Sequence, residues 1–131
     1  VAVGGSGMPD GITRGYYNKP TVFADVNNQM RVAREEIFGP VLVVIPFEDE
    51  NDAVNIANDS PFGLGGSIFT EDPNHGAALA RRIESGSVGI NFYGSNLAAP
   101  FGGWKDSGIG MEYGPEAIGA YTRMKSIHRK R

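Results

Sequence analysis

The sequence contains no cysteine. That excludes a disulfide framework, a thiolate metal site and a cysteine nucleophile from these residues. No apolar run approaches the ~20 residues that span a bilayer, and the first residues lack the basic-then-apolar plan of a secretory leader. No membrane partner is expected, and a cytoplasmic setting is the default. An excess of positive charge is missing as well: the formal net charge is −3, which provides no general field for nucleic acid. The basic tip His128-Arg129-Lys130-Arg131 reads as a solvated end, and no nucleic-acid partner is expected. The acidic run from Glu48 to Asp52 lacks the alternating oxygen ligands and the glycine of a calcium loop, so it is read as a helix start and no metal site is assigned.

What the chain does have is glycine. Its 131 residues include 19 glycines, about twice the usual share of ~7%, so many turns must be loop-bound. The length suits a single domain with a modest core. The opening Val1-Ala2-Val3-Gly4 reads as the last part of a strand whose beginning is elsewhere, which makes a fragment plausible. Gly4-Gly5-Ser6-Gly7 resembles a phosphate-binding turn, with Asp25 near the distance of a ribose-binding acid. The third glycine of that fingerprint falls at Asp10, and Met8 to Gly15 carries breakers where a helix should begin. The segment is therefore predicted to be a hairpin or loop.

The most informative stretch is Arg34-Glu35-Glu36-Ile37-Phe38-Gly39-Pro40-Val41. Gln29 to Arg34 predicts a short helix, Gly39-Pro40 breaks it, and Val41 to Ile45 predicts a strand buried on both faces. A carboxylate two residues from an aromatic ring at such a junction suits a sugar hydroxyl and a flat ring together. The plainer reading is that Glu36 caps a turn and Phe38 fills the core.

Around this octet the pattern alternates. A strand is predicted near Thr21 to Ala24, and a helix follows the acidic run through Ala53, Val54, Ile56 and Ala57. A glycine-rich strand covers Leu64 to Phe69. A helix starts with Asp72 as N-cap and Pro73 in its first turn and ends at Gly86; the next strand is Val88 to Phe92. The alternation predicts an α/β fold with a mainly parallel sheet flanked by helices. Tyr93 to Gly110 has little periodicity, but Phe101 and Trp104 favour a packed loop lining a site. One or two helical turns are expected at Pro115 to Ala120. Tyr121 to His128 alternates as a strand with a free edge, which invites another chain. The division expected is thus 1–120 as a partial catalytic domain and 121–131 as an oligomerisation strand with a basic tail.

Several blocks occur together in an order and spacing that resemble the aldehyde dehydrogenase superfamily. They are Gly15-Tyr16-Tyr17 with Pro20-Thr21-Val22-Phe23, Glu35 to Val41, Phe62-Gly63-Leu64, Pro100 to Lys105, and Ser107 to Gly110 with Glu112 and Gly114. The resemblance covers nearly the whole chain but only the C-terminal part of such an enzyme. It implies an NAD(P)-dependent oxidation of an aldehyde to a carboxylic acid through a cysteine thiohemiacetal and a thioester, with NAD or NADP as cofactor. It also implies a homo-oligomer joined through the C-terminal strand. By resemblance, Glu36 holds the nicotinamide-side ribose, Phe38 packs by the nicotinamide, and Phe101, Asn91 and Asn96 belong to the substrate tunnel. Glu112 has two readings, a carboxylate relaying a proton near the general base or an acceptor for loop amides. Met111 departs from the arginine often found before this acid. The nucleophile, oxyanion donor and base have no counterpart here, so the fragment alone is expected to be inert. The competing readings are a stand-alone assembly module and a small α/β ligand-binding domain.

Overall fold

The structure, a computed structural model, describes residues 1–130. It divides into two compact units, Val1–Ser60 and a second that begins at Pro61, within what the sequence reading took as one domain.

In the first unit, β1 (Thr21–Phe23) and β2 (Val41–Val43) form a parallel pair with Thr21 opposite Val41. Val3 adds an antiparallel bridge to Val22. The glycine-rich opening is a loop, as its breakers predict. Gly4, Gly5 and Gly7 have positive φ, and the Gly5 N–H donates to Thr21 Oγ1 at 3.1 Å. Helix α1 covers only Arg31–Arg34, two residues shorter than its apolar pattern suggests. Helix α2 covers Glu50–Asn58. Its acidic start forms a cap: Asp49 Oδ1 accepts from the Asp52 N–H at 2.9 Å, and Asp52 Oδ2 accepts from the Glu48 N–H at 3.0 Å. Val26, Val54 and Thr21 are buried.

The strand predicted over Val41 to Ile45 is corrected on two counts. It ends at Val43, and it is not buried on both faces, since Leu42 is 60% exposed. The β-branched run sets the strand, but no layer of this unit covers that side.

In the second unit the strands are β3 (Phe62–Gly63), β4 (Gly65–Ile68), β5 (Ser87–Ile90), β6 (Phe101–Gly102), β7 (Trp104–Lys105) and β8 (Met111–Glu112). β4 and β5 are parallel, linked by α3 (Pro73–Ala80), whereas β3–β7 and β6–β8 are antiparallel. Asp72 caps α3 as expected, accepting from the N–H groups of Asn74 at 2.9 Å and His75 at 3.3 Å.

The helix does not run to Gly86. It closes after Ala80 through tight turns in which Arg82 N–H reaches Leu79 O and Ile83 N–H reaches Ala80 O. Gly86 serves packing instead, because a Cβ there would overlap the Gly102 carbonyl. The aperiodic stretch after Tyr93 holds β6 and β7, whose two-residue lengths are too short to show a period. A 3-10 helix, Pro115–Tyr121, stands where helical turns were expected.

The strand predicted from Tyr121 to His128 is not formed. Tyr121 closes the 3-10 helix, and residues 122–130 have no ladder partner among the described residues. The final basic residue of the tip, Arg131, lies outside the described residues.

The α/β character is therefore present as two parallel pairs, each with a helix in the connection, beside two antiparallel pairs.

Candidate functional site

The octet forms a loop held at both ends. α1 ends with Glu35 in an extended conformation, its N–H donating to Arg31 O at 3.0 Å. At the far end Pro40 O accepts from the Thr21 N–H at 2.9 Å, which brings the chain onto β1. Between these anchors Phe38 takes φ +54°, a left-handed conformation that costs a bulky residue of order 1–3 kcal/mol. This backbone turns the ring out: Phe38 is 92% exposed, so it does not fill the core. Glu36, Ile37 and Phe38, with Val32, Val41 and Val43, line a cleft of about 360 Å³.

The two acids of the pair are not equivalent. Glu35 accepts from Arg31 Nε at 2.7 Å, and this hydrogen bond, assisted by the guanidinium charge, holds its carboxyl below the ordinary glutamate range. That link is present at neutral pH and is lost as acid carries the solution down through the depressed pKa. Glu36 is exposed and has no hydrogen bond or ion pair among the described residues. A carboxylate with both oxygens available is a double acceptor for a vicinal diol, and an exposed phenyl ring two residues on offers a face for stacking.

A second cavity, of about 180 Å³, lies within the second unit. Ser87, Tyr93, Asn96, Pro100, Phe101 and Tyr113 are among the residues around it. β6 and β8 position the aromatic wall: Phe101 sits opposite Glu112 in the ladder, and the rings of Phe101 and Tyr113 lie 5.9 Å apart. Tyr113 escaped the sequence reading, and only its place beside Glu112 would have pointed to it. Asn96 uses its Oδ1 to accept from the Ala98 N–H at 3.0 Å, shaping the loop beside the cavity. The loop is also tied down where Gly114 N–H donates to Leu97 O at 3.2 Å.

Asn91 stands apart from this cavity. Its Oδ1 accepts from Thr70 N–H and its Nδ2 donates to Thr70 O, each at 2.8 Å. The carboxamide is thus spent on fixing the β4–α3 connection to the end of β5. Glu112 is exposed on β8. Among the described residues no group of three or more His, Asp or Glu could hold a metal ion, and no helix is long and apolar enough to cross a membrane.

Comparison with known proteins matches residues 1–127 to the family model described as the aldehyde dehydrogenase family. A geranial dehydrogenase of Castellaniella defragrans is 59% identical over 115 residues, covering 88% of this chain and 24% of that protein. A Mycobacterium tuberculosis aldehyde dehydrogenase crystallised with NAD+ superposes with a TM-score of 0.89 at 50% identity, over 93% of this chain and 25% of that one. Aldehyde dehydrogenase C of Pseudomonas syringae, crystallised as a mutant with NAD+ and octanal, gives 0.87 at 45% identity, over 91% and 24%. The chain thus spans about a quarter of the length of the relatives it matches. With almost the whole of its 131 residues matched by the family model, the chain belongs to the aldehyde dehydrogenase family.

Proposed function

We propose that this segment supplies part of the cofactor clamp and part of the aldehyde site of an enzyme that oxidises an aldehyde to a carboxylic acid with a nicotinamide dinucleotide. The observation that carries the reading is the contrast within the acid pair, Glu35 engaged by Arg31 and Glu36 left open beside the exposed Phe38 ring. These residues fit the ring end of a nicotinamide nucleotide: Glu36 accepts from the ribose hydroxyls, and Phe38 limits the tilt of the ring. When bound, that nucleotide supplies the two-electron acceptor. The ring-end contacts suit NAD+ and NADP+ alike, and the NAD+ in both structural neighbours favours NAD+.

Phe101 and Asn96 are the residues proposed to wall the aldehyde channel, with Asn91 holding the loop that follows β5. Octanal in the Pseudomonas neighbour and the geranial dehydrogenase among the relatives favour an apolar aldehyde. Oxidation through a thioester requires a cysteine, and this sequence has none. On this reading the nucleophile comes from another part of a longer protein, and the oxyanion donor and base are placed there with it by resemblance. Glu112 serves as a proton relay toward that base or as an acceptor for loop amides.

Phe38→Gly in the full-length enzyme carrying the segment tests the clamp. Glycine relieves the positive φ and offsets part of that gain with about 0.5–1 kcal/mol of backbone entropy, so the enzyme should be no less stable than the parent. The rate of NADH formation should fall about tenfold, because an unsupported ring spends less time in the reactive pose. A parental rate would remove Phe38 from the site.

The exposed tail supports assembly with a second subunit. Tyr121, Met124 and Ile127 are 85%, 104% and 87% exposed, and an exposed segment that carries apolar side chains and has no ladder partner among the described residues offers a surface for another chain. Truncation after Ala120 should lower the mass of the full-length assembly in light scattering. An unchanged mass would contradict assembly through this tail.

A further inference from the structure

The clamp loop hangs on a helix that has little to hold it. α1 spans four residues, Met30 provides no side-chain cap, and no residue of α1 is buried. A single turn of helix is not stable by itself. What fixes it is the end of α2. Arg34, the last residue of α1, donates from Nη1 to Asp59 O at 2.7 Å and to Asp59 Oδ1 at 2.9 Å. From the other flank of α1, Asn28 Nδ2 donates to Ile56 O at 2.8 Å, and to Asp59 O and Asp59 Oδ2 at 3.2 Å each. The carbonyls that close α2 carry the negative end of its dipole, so a guanidinium there is doubly favoured. Asp59 is gripped by the residues that bracket α1.

We infer that Arg34, Asp59 and Asn28 form a positioning lock that sets where Glu36 and Phe38 stand, so that these three residues tune cofactor geometry without touching the cofactor. The inference rests on the clamp reading above. Arg34 lies two residues before Glu36, and Glu35 is extended, so a shift of α1 passes to the carboxylate along a taut piece of backbone. The far end of the loop is pinned to β1 through Pro40 O. Releasing the near end leaves a hinge at the positive-φ Phe38. Both Arg34 bonds come from one nitrogen; a lysine ammonium can make both, and Arg34→Lys should therefore restore what Arg34→Met loses, unlike at a forked arginine site.

The test uses the full-length enzyme carrying this segment, with Arg34→Met, Asp59→Ala, Arg34→Lys and Glu36→Gln. Three readouts are taken: hydrogen exchange at the Glu35 amide without cofactor, the Kd for NAD+, and the single-turnover rate of NADH formation. Arg34→Met and Asp59→Ala should each speed exchange at Glu35 and slow NADH formation about tenfold. The Kd should stay within about twofold, since most of the dinucleotide is held elsewhere. Arg34→Lys should stay within about threefold of the parent in rate.

If Arg34→Met and Asp59→Ala keep the parental rate while Glu36→Gln is slow, the lock is overturned and the clamp stands. If Glu36→Gln is also at the parental rate, the clamp itself fails and the lock falls with it. A loss of NAD+ affinity matching the loss of rate would show general damage and would also overturn the lock. Should Asp59→Ala not fold, Arg34→Met against Arg34→Lys decides alone, because that side chain is 42% exposed and its removal buries nothing new.

Discussion

Glu36→Gln in the full-length enzyme carrying this segment is expected to slow NADH formation by roughly ten- to a hundredfold while changing the Kd for NAD+ by less than about threefold. The substitution keeps size and shape and removes one acceptor oxygen together with the charge. A ribose held by one bond in place of two lets the attached ring rotate away from the aldehyde carbon. Overall affinity depends on the rest of the dinucleotide and moves little. The split between rate and affinity is therefore the signature of a residue that orients. The same change at Glu35 should leave the single-turnover rate within about twofold of the parent, because that carboxylate is committed to Arg31 on the surface. Stopped-flow detection of NADH in a single turnover makes both measurements.

The isolated 131-residue chain should show no aldehyde-dependent NADH formation and no cooperative thermal transition, and it should enhance the emission of a hydrophobic dye such as ANS. The first expectation follows from chemistry, since no thiol is present to attack the aldehyde. The others follow from burial. Val26 and Val54 are the buried hydrophobic residues among those described, while Phe38, Leu42, Phe69 and Phe92 are each at least 60% exposed. So few fully buried apolar side chains give little to set against the entropy of ordering the backbone. Surface that the chain leaves open is surface that the rest of an enzyme would cover. A sharp two-state melt with no dye binding would contradict this, as would turnover by the pure chain.

How much of this was legible in the sequence differs from element to element. Asp72-Pro73 announces a capped helix, formed as read, and the acidic run announces a helix start whose cap, Asp49, became visible only in the structure. The parallel pairs β1–β2 and β4–β5 follow from alternation of strand and helix. The end of α3 was misplaced because Gly86 has two uses for its missing side chain, as a helix stop or as room for a neighbouring carbonyl. Only the second is realised, and the carbonyl belongs to a residue sixteen positions away. β6 and β7 were invisible for a similar reason, since a two-residue strand is defined by its partner and not by its own pattern.

The site divides in the same way. Glu36 and Phe38 were singled out because a family resemblance and a helix-to-strand break coincide there, and the plain alternative of a core Phe38 fails against its exposure. Asn91 offered no sign that Thr70 would occupy it, because that pairing spans twenty-one residues. The Arg34–Asp59 contact spans twenty-five and has no local signal at all.

The most direct test of the central claim is a crystal structure of the full-length enzyme carrying this segment with NAD+ bound. The account predicts both Glu36 carboxylate oxygens at hydrogen-bond distance, roughly 2.6–3.0 Å, from the hydroxyls of the nicotinamide-side ribose, with the Phe38 ring against the nicotinamide. A Glu36 carboxylate turned away from the dinucleotide, with the ribose held by other residues, would contradict it.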